Sequence, residues 1–461
     1  MKVAKFGGTS LASAAQIRKV IEIVRADPAR RIVVVSAPGK RTPDDAKVTD
    51  LLIACARAAL AGRPGEAEAA AVLGRYAEIA ADFGLPAEFM AGLERDLRAR
   101  TTASQAHPGM FTDALKAAGE DYCARLVAAE LSRAGVPARY VNPIEAGLLL
   151  SSEFGNAQVL DDAYARLAAL RDVEERVVFP GFFGVTREGA IATLPRGGSD
   201  TTGAILAAAV GADEYENFTD VDSVFAVDPR LYPAAPPIPQ MTYREMRELS
   251  YAGFSVFHDE AIVPVVRAGI PIHIRNTNRP DAPGTRISAT RPYTAGEVIG
   301  IASSEGFSTI LVEKYMMNRE IGFGRRLAQI LEAAGISYEH QPSGIDSIST
   351  IVRSEALPPA KEAEIVERIR ADLRPDDVTV EHGLALIMMV GEGMRYAVGM
   401  AARATQALAN AGVNIEMMNQ GSSEISMMFG VKDADRRRAV QALAEAFFPA
   451  RRRGRRTGKR P

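Results

Sequence analysis

The chain has no tryptophan, two cysteines and five histidines in 461 residues. Cys55 and Cys123 cannot build a disulfide framework, so the fold must rest on its core, and a reducing cytoplasm suits it. His107, His258, His273, His340 and His382 are scattered without ligand spacing, which argues against a structural zinc site, and no protein metal ligands are expected. No apolar run approaches the length of a membrane span. The N-terminus also lacks the basic, apolar and small-residue succession of an export signal, so no membrane partner is expected. Net charge is small, at −2, but residues 451–461 (RRRGRRTGKRP) carry seven positive charges and no negative one. Such a run either touches nucleic acid or acidic lipid or is simply a solvated tail, and solvation is the commoner case. The body ahead of it is acidic and has no nucleic-acid footprint.

What is present is an ordinary globular composition, 47% hydrophobic and 24% charged, long enough for two or three domains. Its opening is the most informative stretch. Lys2–Phe6 reads as a strand that runs into Gly7-Gly8-Thr9-Ser10, and a helix follows. Two glycines let backbone N–H groups approach an anion, and a helix N-terminus aims its positive end at the same point. Lys5 adds a mobile positive charge. Ser13-Ala14-Ala15-Gln16 fits a capping box, Ile17, Val20, Ile21 and Val24 share a helical face, and Arg31–Ser36 reads as a buried second strand. The sum is a βαβ unit with a phosphate cradle, although Gly-Gly alone also fits an ordinary tight turn.

Residues 1–288 alternate strand-like and helix-like segments, which predicts an α/β layer architecture with a mostly parallel sheet. A Pro- and Thr-containing stretch over 279–292 marks a boundary. Beyond it the pattern repeats: strands at 308–313 and 384–390, and helices at 324–334 and 400–411. Gly335-Ile336-Ser337 and Gly412-Val413-Asn414 occupy matching places. Two βαββαβ units of this size are the pattern of paired ligand-sensing domains, or of modules that only help a chain dimerise.

Four further clusters complete a candidate site. Ser36–Lys40 and Lys47–Asp50 lie just past a parallel strand, where open α/β sheets bind ligands. There Thr49 either caps the next helix or hydrogen-bonds a ligand. Ala118-Gly119-Glu120 precedes a helix, and Glu120 either complements its dipole or meets a ligand ammonium. Arg196-Gly197-Gly198-Ser199-Asp200 forms a second Gly-Gly turn at a helix start, beside an arginine whose fork fits a carboxylate or phosphate. Asp200 is placed for an N-cap. Thr219-Asp220-Val221, running to Asp228-Pro229-Arg230, is either a nucleotide loop or a polar loop with a local ion pair.

Together, KFGGTS (5–10), VSAPGK with VTD (35–50), GE (119–120), RGGSD (196–200) and TDV with DPR (219–230) resemble the aspartate kinases of the amino-acid-kinase family. FGRRLAQILEAAGIS and NIEMMNQGSSEIS resemble the two ACT domains of those enzymes, and the resemblance is to monofunctional, lysine-sensitive forms, so no second catalytic domain is expected. The resemblance implies a three-layer kinase sandwich over 1–290, ferredoxin-like ACT domains over 291–382 and 383–448, and a basic tail over 449–461. It implies ATP-dependent phosphorylation of L-aspartate to 4-phospho-L-aspartate, in the cytoplasm, at the head of lysine, threonine and methionine synthesis. By the same resemblance, Lys5, Gly7, Gly8, Ser10, Thr219, Asp220, Phe225 and Arg230 bind nucleotide. Thr49, Glu120, Arg196, Gly197, Gly198 and Ser199 hold aspartate, Arg196 at the α-carboxylate and Glu120 at the α-ammonium. Lys5, Arg196 and Asp200 form the catalytic group.

Two departures stand out: Phe225 where tyrosine is common, and Ser255 where some members carry lysine near the nucleotide. The β-carboxylate of aspartate is already ionised at neutral pH, so the reaction needs positive electrostatics and positioning rather than a general base. Mg²⁺ bridging the ATP phosphates supplies further charge, with no dedicated protein cage. Feedback by an amino acid, lysine first and threonine second, is expected at Met317, Ser337, Glu339, Ser343 and Asp346. ACT pairing implies a homodimer or homotetramer. The competing readings are a kinase of glutamate or another carboxylate, and a non-catalytic amino-acid sensor.

Overall fold

The computed structural model describes residues 1–63, 65–254 and 259–449. Ser255, His258 and the basic tail lie outside the described residues. The strands are β1 (Lys2–Phe6), β2 (Arg30–Val35), β3 (Ala138–Tyr140), β4 (Arg176–Pro180), β5 (Phe183–Val185), β6 (Ile191–Thr193), β7 (Glu214–Thr219), β8 (Gln240–Thr242), β9 (Ile272–Asn276) and β10 (Thr285–Ser288). Beyond them come β11 (Gly300–Glu313), β12 (Tyr338–His340), β13 (Ser347–Arg353), β14 (Asp377–Val390), β15 (Met417–Asn419) and β16 (Ser426–Lys432). The helices used below are α1 (Ala14–Ala26), α2 (Val48–Leu60), α3 (Glu66–Phe83), α4 (Ala87–Thr101) and α5 (Pro108–Arg133). They continue with α6 (Pro143–Ala146), α7 (Asp161–Leu167), α8 (Gly198–Val210), α9 (Tyr243–Tyr251), α10 (Val263–Ala268), α11 (Phe323–Ala333), α12 (Pro359–Leu373), α13 (Met400–Asn410) and α14 (Arg436–Phe447).

Among the described residues the chain divides into two compact units: residues 1–224, 237–246 and 259–291 belong to the first, and 225–236, 247–254 and 292–449 to the second. The first is built on a sheet of order β3-β4-β2-β1-β7-β9-β10-β8 among the described residues. From β3 to β9 every pairing is parallel, and only β10 runs against β9. Alternate residues of β1 serve opposite faces, as the strand period requires. Ala4 and Phe6 join the apolar core with Ile17 and Val20 of α1 and Leu115 and Leu126 of α5. Lys5 points to the other face, against α8.

Ser13 caps α1 as expected, its hydroxyl accepting from the Gln16 N–H at 3.4 Å. Other local expectations need correction. A 3-10 turn, Gly8–Leu11, intervenes between β1 and α1. Lys47, not Thr49, is the N-cap of α2. Glu120 lies in the middle of the 26-residue α5 rather than at a helix start. Gly119 looks like a break in sequence but is kept for space: a Cβ there would lie 2.9 Å from Cβ of Ala37. Asp200 sits in the first turn of α8, but the cap is Gly197, at φ +82°.

In the second unit both repeats share one sheet of order β12-β13-β11-β14-β16-β15. β11 and β14 each run fourteen residues and pair along their length, with a register shift near Phe307. The expected boundary at 382/383 therefore falls inside β14. Gly300–Ser304, ahead of the first repeat, pairs with the second-repeat half of β14. Ile310, Val312, Ile348, Val352 and Val378 pack under α11 and α12. The edge strands approach each other, with Asn419 Nδ2 and His340 Nδ1 3.3 Å apart, so the sheet is strongly curled.

Candidate active site

The site forms where the parallel strands end. The Gly7 N–H donates to the Phe218 carbonyl at 3.1 Å, tying the first turn to the end of β7, and the Gly39 N–H donates to the Gly8 carbonyl at 2.8 Å. A Cβ on Gly39 would lie 2.6 Å from the carbonyl carbon of Gly8, and one on Gly8 would lie 2.9 Å from the Ala37 carbonyl. Close approach of two backbones requires glycine here, and it leaves a surface of bare peptide. Ser10 is not free for a ligand. Its hydroxyl shares a 2.7 Å buried hydrogen bond with Thr277 and braces the turn against the loop after β9.

Lys5 is buried rather than mobile, and its Nζ lies 2.5 Å from Oδ1 of Asp200. The Asn217 amide donates to the same oxygen at 2.6 Å. Asp200 thus fixes Lys5 at the mouth of the first Gly-Gly turn.

Arg75 lies on α3. Buried at 5% exposure, it donates to the carbonyls of Gly39 at 2.8 Å, Ala46 at 3.0 Å and Ala12 at 3.3 Å, and pairs with Asp45 at 3.0 Å. One planar fork holds the loop after β2, the entry to α2 and the end of the first turn. Arg41 hydrogen-bonds Asp45 from the other side, and the two guanidinium groups hold that carboxyl well below its usual range. No sequence signal marks Arg75 within an Ala-rich amphipathic helix.

Glu120 is 4% exposed. Its Oε1 accepts from the Ala37 N–H at 3.0 Å, while Oε2 has no hydrogen-bond partner among the described residues. Burial pushes its carboxyl up to about 7 against the opposing hydrogen bond from Ala37. Thr49 is brought to the same corner, because Val48 beside it packs on Gly119, with Cγ1 3.4 Å from where a Gly119 Cβ would stand. The Tyr76 hydroxyl donates to the Gly119 carbonyl at 2.5 Å and fixes α5 in place.

At the second Gly-Gly turn, Gly197 and Gly198 lead into α8, whose first amides have no intrahelical acceptor. Ser199 packs on Gly181 at the end of β4, where a Cβ would lie 2.6 Å from that of Ser199. The Arg196 side chain is exposed and makes no hydrogen bond or ion pair among the described residues. Phe182, unmarked in the sequence, adopts φ +76°, a left-handed conformation that costs energy for a bulky residue. The Thr202 hydroxyl accepts from its N–H at 3.0 Å, and Nζ of Lys116 lies 5.3 Å from its ring centre.

Thr219 ends β7, its hydroxyl donating to Asp220 at 3.2 Å, and Asp220 is exposed. Phe225 and Arg230 belong to the segment 225–236 of the second unit. Arg230 pairs with Asp228 at 2.7 Å, and its carbonyl accepts from Arg437 of α14 at 3.2 Å. Glu214, Glu216 and His273 come together on β7 and β9, but Arg30, Arg275, Arg286 and Lys2 already pair with the carboxylates.

Of the residues expected to sense an amino acid, Met317 is buried, Asp346 Oδ1 accepts from the Met316 N–H at 2.8 Å, and Ser343 bridges to Ile348. These three lie where the loop after β11 meets the loop before β13, the Lys314 N–H donating to the Asp346 carbonyl at 2.8 Å and the Asn318 N–H to the Ile345 carbonyl at 3.1 Å. Ser337 and Glu339 lie instead on and beside β12. Glu339 pairs with Arg353 at 3.0 Å and with the Tyr251 hydroxyl. Its carboxylate is thus already engaged.

A model of the amino acid kinase family matches residues 1–276, and an ACT domain model matches residues 387–447. Aspartokinase 3 of Bacillus subtilis is 55% identical over 448 residues, 97% of this chain and 99% of that one. The allosteric aspartate kinase of Clostridium acetobutylicum superposes with a TM-score of 0.84 at 35% identity, covering 97% and 99% of the two chains. E. coli aspartokinase III, solved with aspartate and ADP, gives a TM-score of 0.78 at 27% identity over 97% and 100% of the chains. The same enzyme solved with lysine and aspartate gives 0.77 at 26% identity over 97% and 99%. With glycine cradles at the ends of parallel strands and sequence likeness along nearly its whole length, this chain belongs to the amino acid kinase family, among its aspartokinases.

Proposed function

We propose that the chain transfers the terminal phosphoryl group of ATP to the β-carboxylate of L-aspartate at the carboxyl ends of β1, β2, β4 and β7. The observation that carries the assignment of aspartate is Glu120: a buried carboxylate with one oxygen held by Ala37 and the other without a protein partner. An α-ammonium supplies that partner and restores the charged form. Arg196, exposed and unpaired among the described residues, takes the α-carboxylate, with Thr49 and the first amides of α8 positioning the rest. E. coli aspartokinase III binds aspartate and ADP, which supports both substrates here.

Lys5 neutralises the transferring phosphoryl group, and Gly7 and Gly8 offer amides to the phosphates. Thr219 and Asp220 serve the nucleotide. The donor set fits Mg²⁺ held chiefly by phosphate: Asp200 Oδ1 is engaged by Lys5 and Asn217, and Oδ2 makes no hydrogen bond among the described residues. That oxygen would join the phosphates in holding the ion. When bound, Mg²⁺ offsets phosphate charge. No general base is required, because the nucleophile is already an anion.

An amino acid regulates the activity. Lysine is favoured, since E. coli aspartokinase III is solved with it, and the paired loops of Met317, Ser343 and Asp346 are the site assigned to it. No helix among the described residues is long and apolar enough to cross a membrane, and two buried free cysteines suit the cytoplasm. Homodimer or homotetramer formation through the ACT repeats is expected, with 1–290 as the kinase part. Trapping the acyl phosphate with hydroxylamine tests the reading: aspartate plus ATP should yield the hydroxamate and glutamate should not. A folded protein that binds aspartate without turnover would instead be a sensor.

A further inference from the structure

The second unit holds a cavity of about 170 Å³ on the face of its sheet turned away from α11 and α12. Both repeats build it. In the first, Thr309 lies opposite Ile351 and Leu311 opposite Ser349, at positions alternate to the helix-packed Ile310, Val312, Ile348 and Val352. In the second, Leu384 and Met417 converge over Gly430. A Cβ on Gly430 would lie 3.2 Å from Cβ of Met417 and 3.3 Å from Cδ1 of Leu384, so the bare backbone makes the room. The register shift at Phe307 and the left-handed Gly383 mark the seam.

The chemistry of the walls is two-sided. Leu311, Ile351, Leu384 and Met417 make an apolar floor, and the hydroxyls of Thr309 and Ser349 make no hydrogen bond among the described residues. At the rim, Nζ of Lys432 lies 3.7 Å from Glu416 and 3.9 Å from Glu381, too far for a hydrogen bond to either. The rim therefore presents one cation and two carboxylates over an apolar pit, with Oε1 of Glu416 also accepting from the Asn414 amide at 2.9 Å. His382 does not enter this balance, since its ring meets Ser308 at 2.8 Å and Glu362 at 3.1 Å.

We propose that this cavity binds a small zwitterion with an apolar side chain, an amino acid of the leucine or methionine class. Its ammonium lies at Glu381 and Glu416, its carboxylate at Lys432, and its side chain on the floor. The volume fits: a cavity of roughly 150 Å³ accepts benzene, so about nine non-hydrogen atoms with the charged end at the mouth are accommodated. The site is separate from the Met317–Asp346 loops and does not depend on the assignment of an effector there. Because both repeats contribute walls, occupancy holds the seam together and raises the melting temperature of the chain.

The test is calorimetric titration of the full chain with L-leucine and L-methionine, beside two analogues that each lack one charged end, 4-methylpentanoate and 3-methylbutylamine. One saturable site per chain is expected for an amino acid, and each analogue should bind roughly tenfold or more weakly. Lys432→Met should weaken amino-acid binding by a similar factor, and Ser349→Phe should abolish it while leaving kcat for the kinase reaction unchanged. If Ser349→Phe does not fold, the rim variant Lys432→Met carries the same comparison. No saturable heat with either amino acid at about 10 mM would overturn the proposal. So would binding that neither variant alters, or analogues that bind as well as the amino acids.

Discussion

Lys5 Nζ and Asp200 Oδ1 lie 2.5 Å apart, joining the first strand of the sheet to the first turn of α8 across 195 residues of chain. The pair holds the Lys5 side chain aimed at the first Gly-Gly turn, and its carboxylate has a second oxygen to offer. Lys5→Ala should lower kcat by roughly 10²–10³, the scale for losing one preorganised electrostatic group. Asp200→Asn should lower kcat as well and raise the Mg²⁺ concentration needed for half-maximal rate. Steady-state kinetics on folded variants checks both, and near-normal kcat for Lys5→Ala would remove it from the mechanism.

Glu120 makes a pH prediction whose sign follows from its burial. Its carboxyl titrates at about 7 in the fold against an ordinary value of 4.5, so it binds aspartate poorly below neutrality. The ratio kcat/KM for aspartate should rise with pH through about 7 and level off above, and Glu120→Gln should lose that rise along with most aspartate use. Stability runs the other way. Between the two values the folded chain holds a proton the unfolded chain has lost, so this group's contribution falls as pH rises from 4.5 to about 7. Glu120→Gln should therefore gain more in melting temperature at pH 8 than at pH 5 relative to the parent, as differential scanning calorimetry would register.

Arg75 should prove irreplaceable by lysine. An ammonium cannot serve the carbonyls of Gly39, Ala46 and Ala12 together with Asp45, and each buried carbonyl left without its donor costs about 1–3 kcal/mol. Arg75→Lys should lower the melting temperature and raise KM for aspartate. Under conditions where the variant remains folded, an unchanged KM would mean that Arg75 supports the fold alone.

For Glu339 the outcome depends on what its carboxylate does. Engaged by Arg353 and Tyr251, it acts as a strut rather than as an open ligand for an effector ammonium. Glu339→Ala and Tyr251→Phe should then shift the lysine inhibition curve in the same direction. A shift in Glu339→Ala with none in Tyr251→Phe would return Glu339 to the effector itself.

Much of the kinase fold was legible because its cues are local. Apolar runs give β1, β2 and β9, and Gly-Gly before a helix gives both cradles. What stayed hidden depends on distant approach. Nothing near Arg75 announces that three carbonyls will gather around it, and Ala118-Gly119-Glu120 imitates a helix start because the reason for Gly119 is Ala37, far away in sequence. The repeats are visible as repeats, yet each hydrophobic run reads as one short strand. That β11 and β14 each serve both repeats follows from their pairing and from the bulge near Phe307, which no periodicity records.

The chain visits the second unit twice, at 225–236 and 247–254, before settling there from residue 292. On those visits it leaves parts behind: the Ile301 N–H donates to the Ala226 carbonyl at 2.7 Å, and Gly300 seats the side chain of Leu249. The sensing half is therefore not a portable cassette that one splice at the apparent linker would transplant. A graft beginning at residue 292 would carry Ile301 to its new host with a buried donor stripped of its acceptor, whereas one beginning before Arg247 would at least bring Leu249 along.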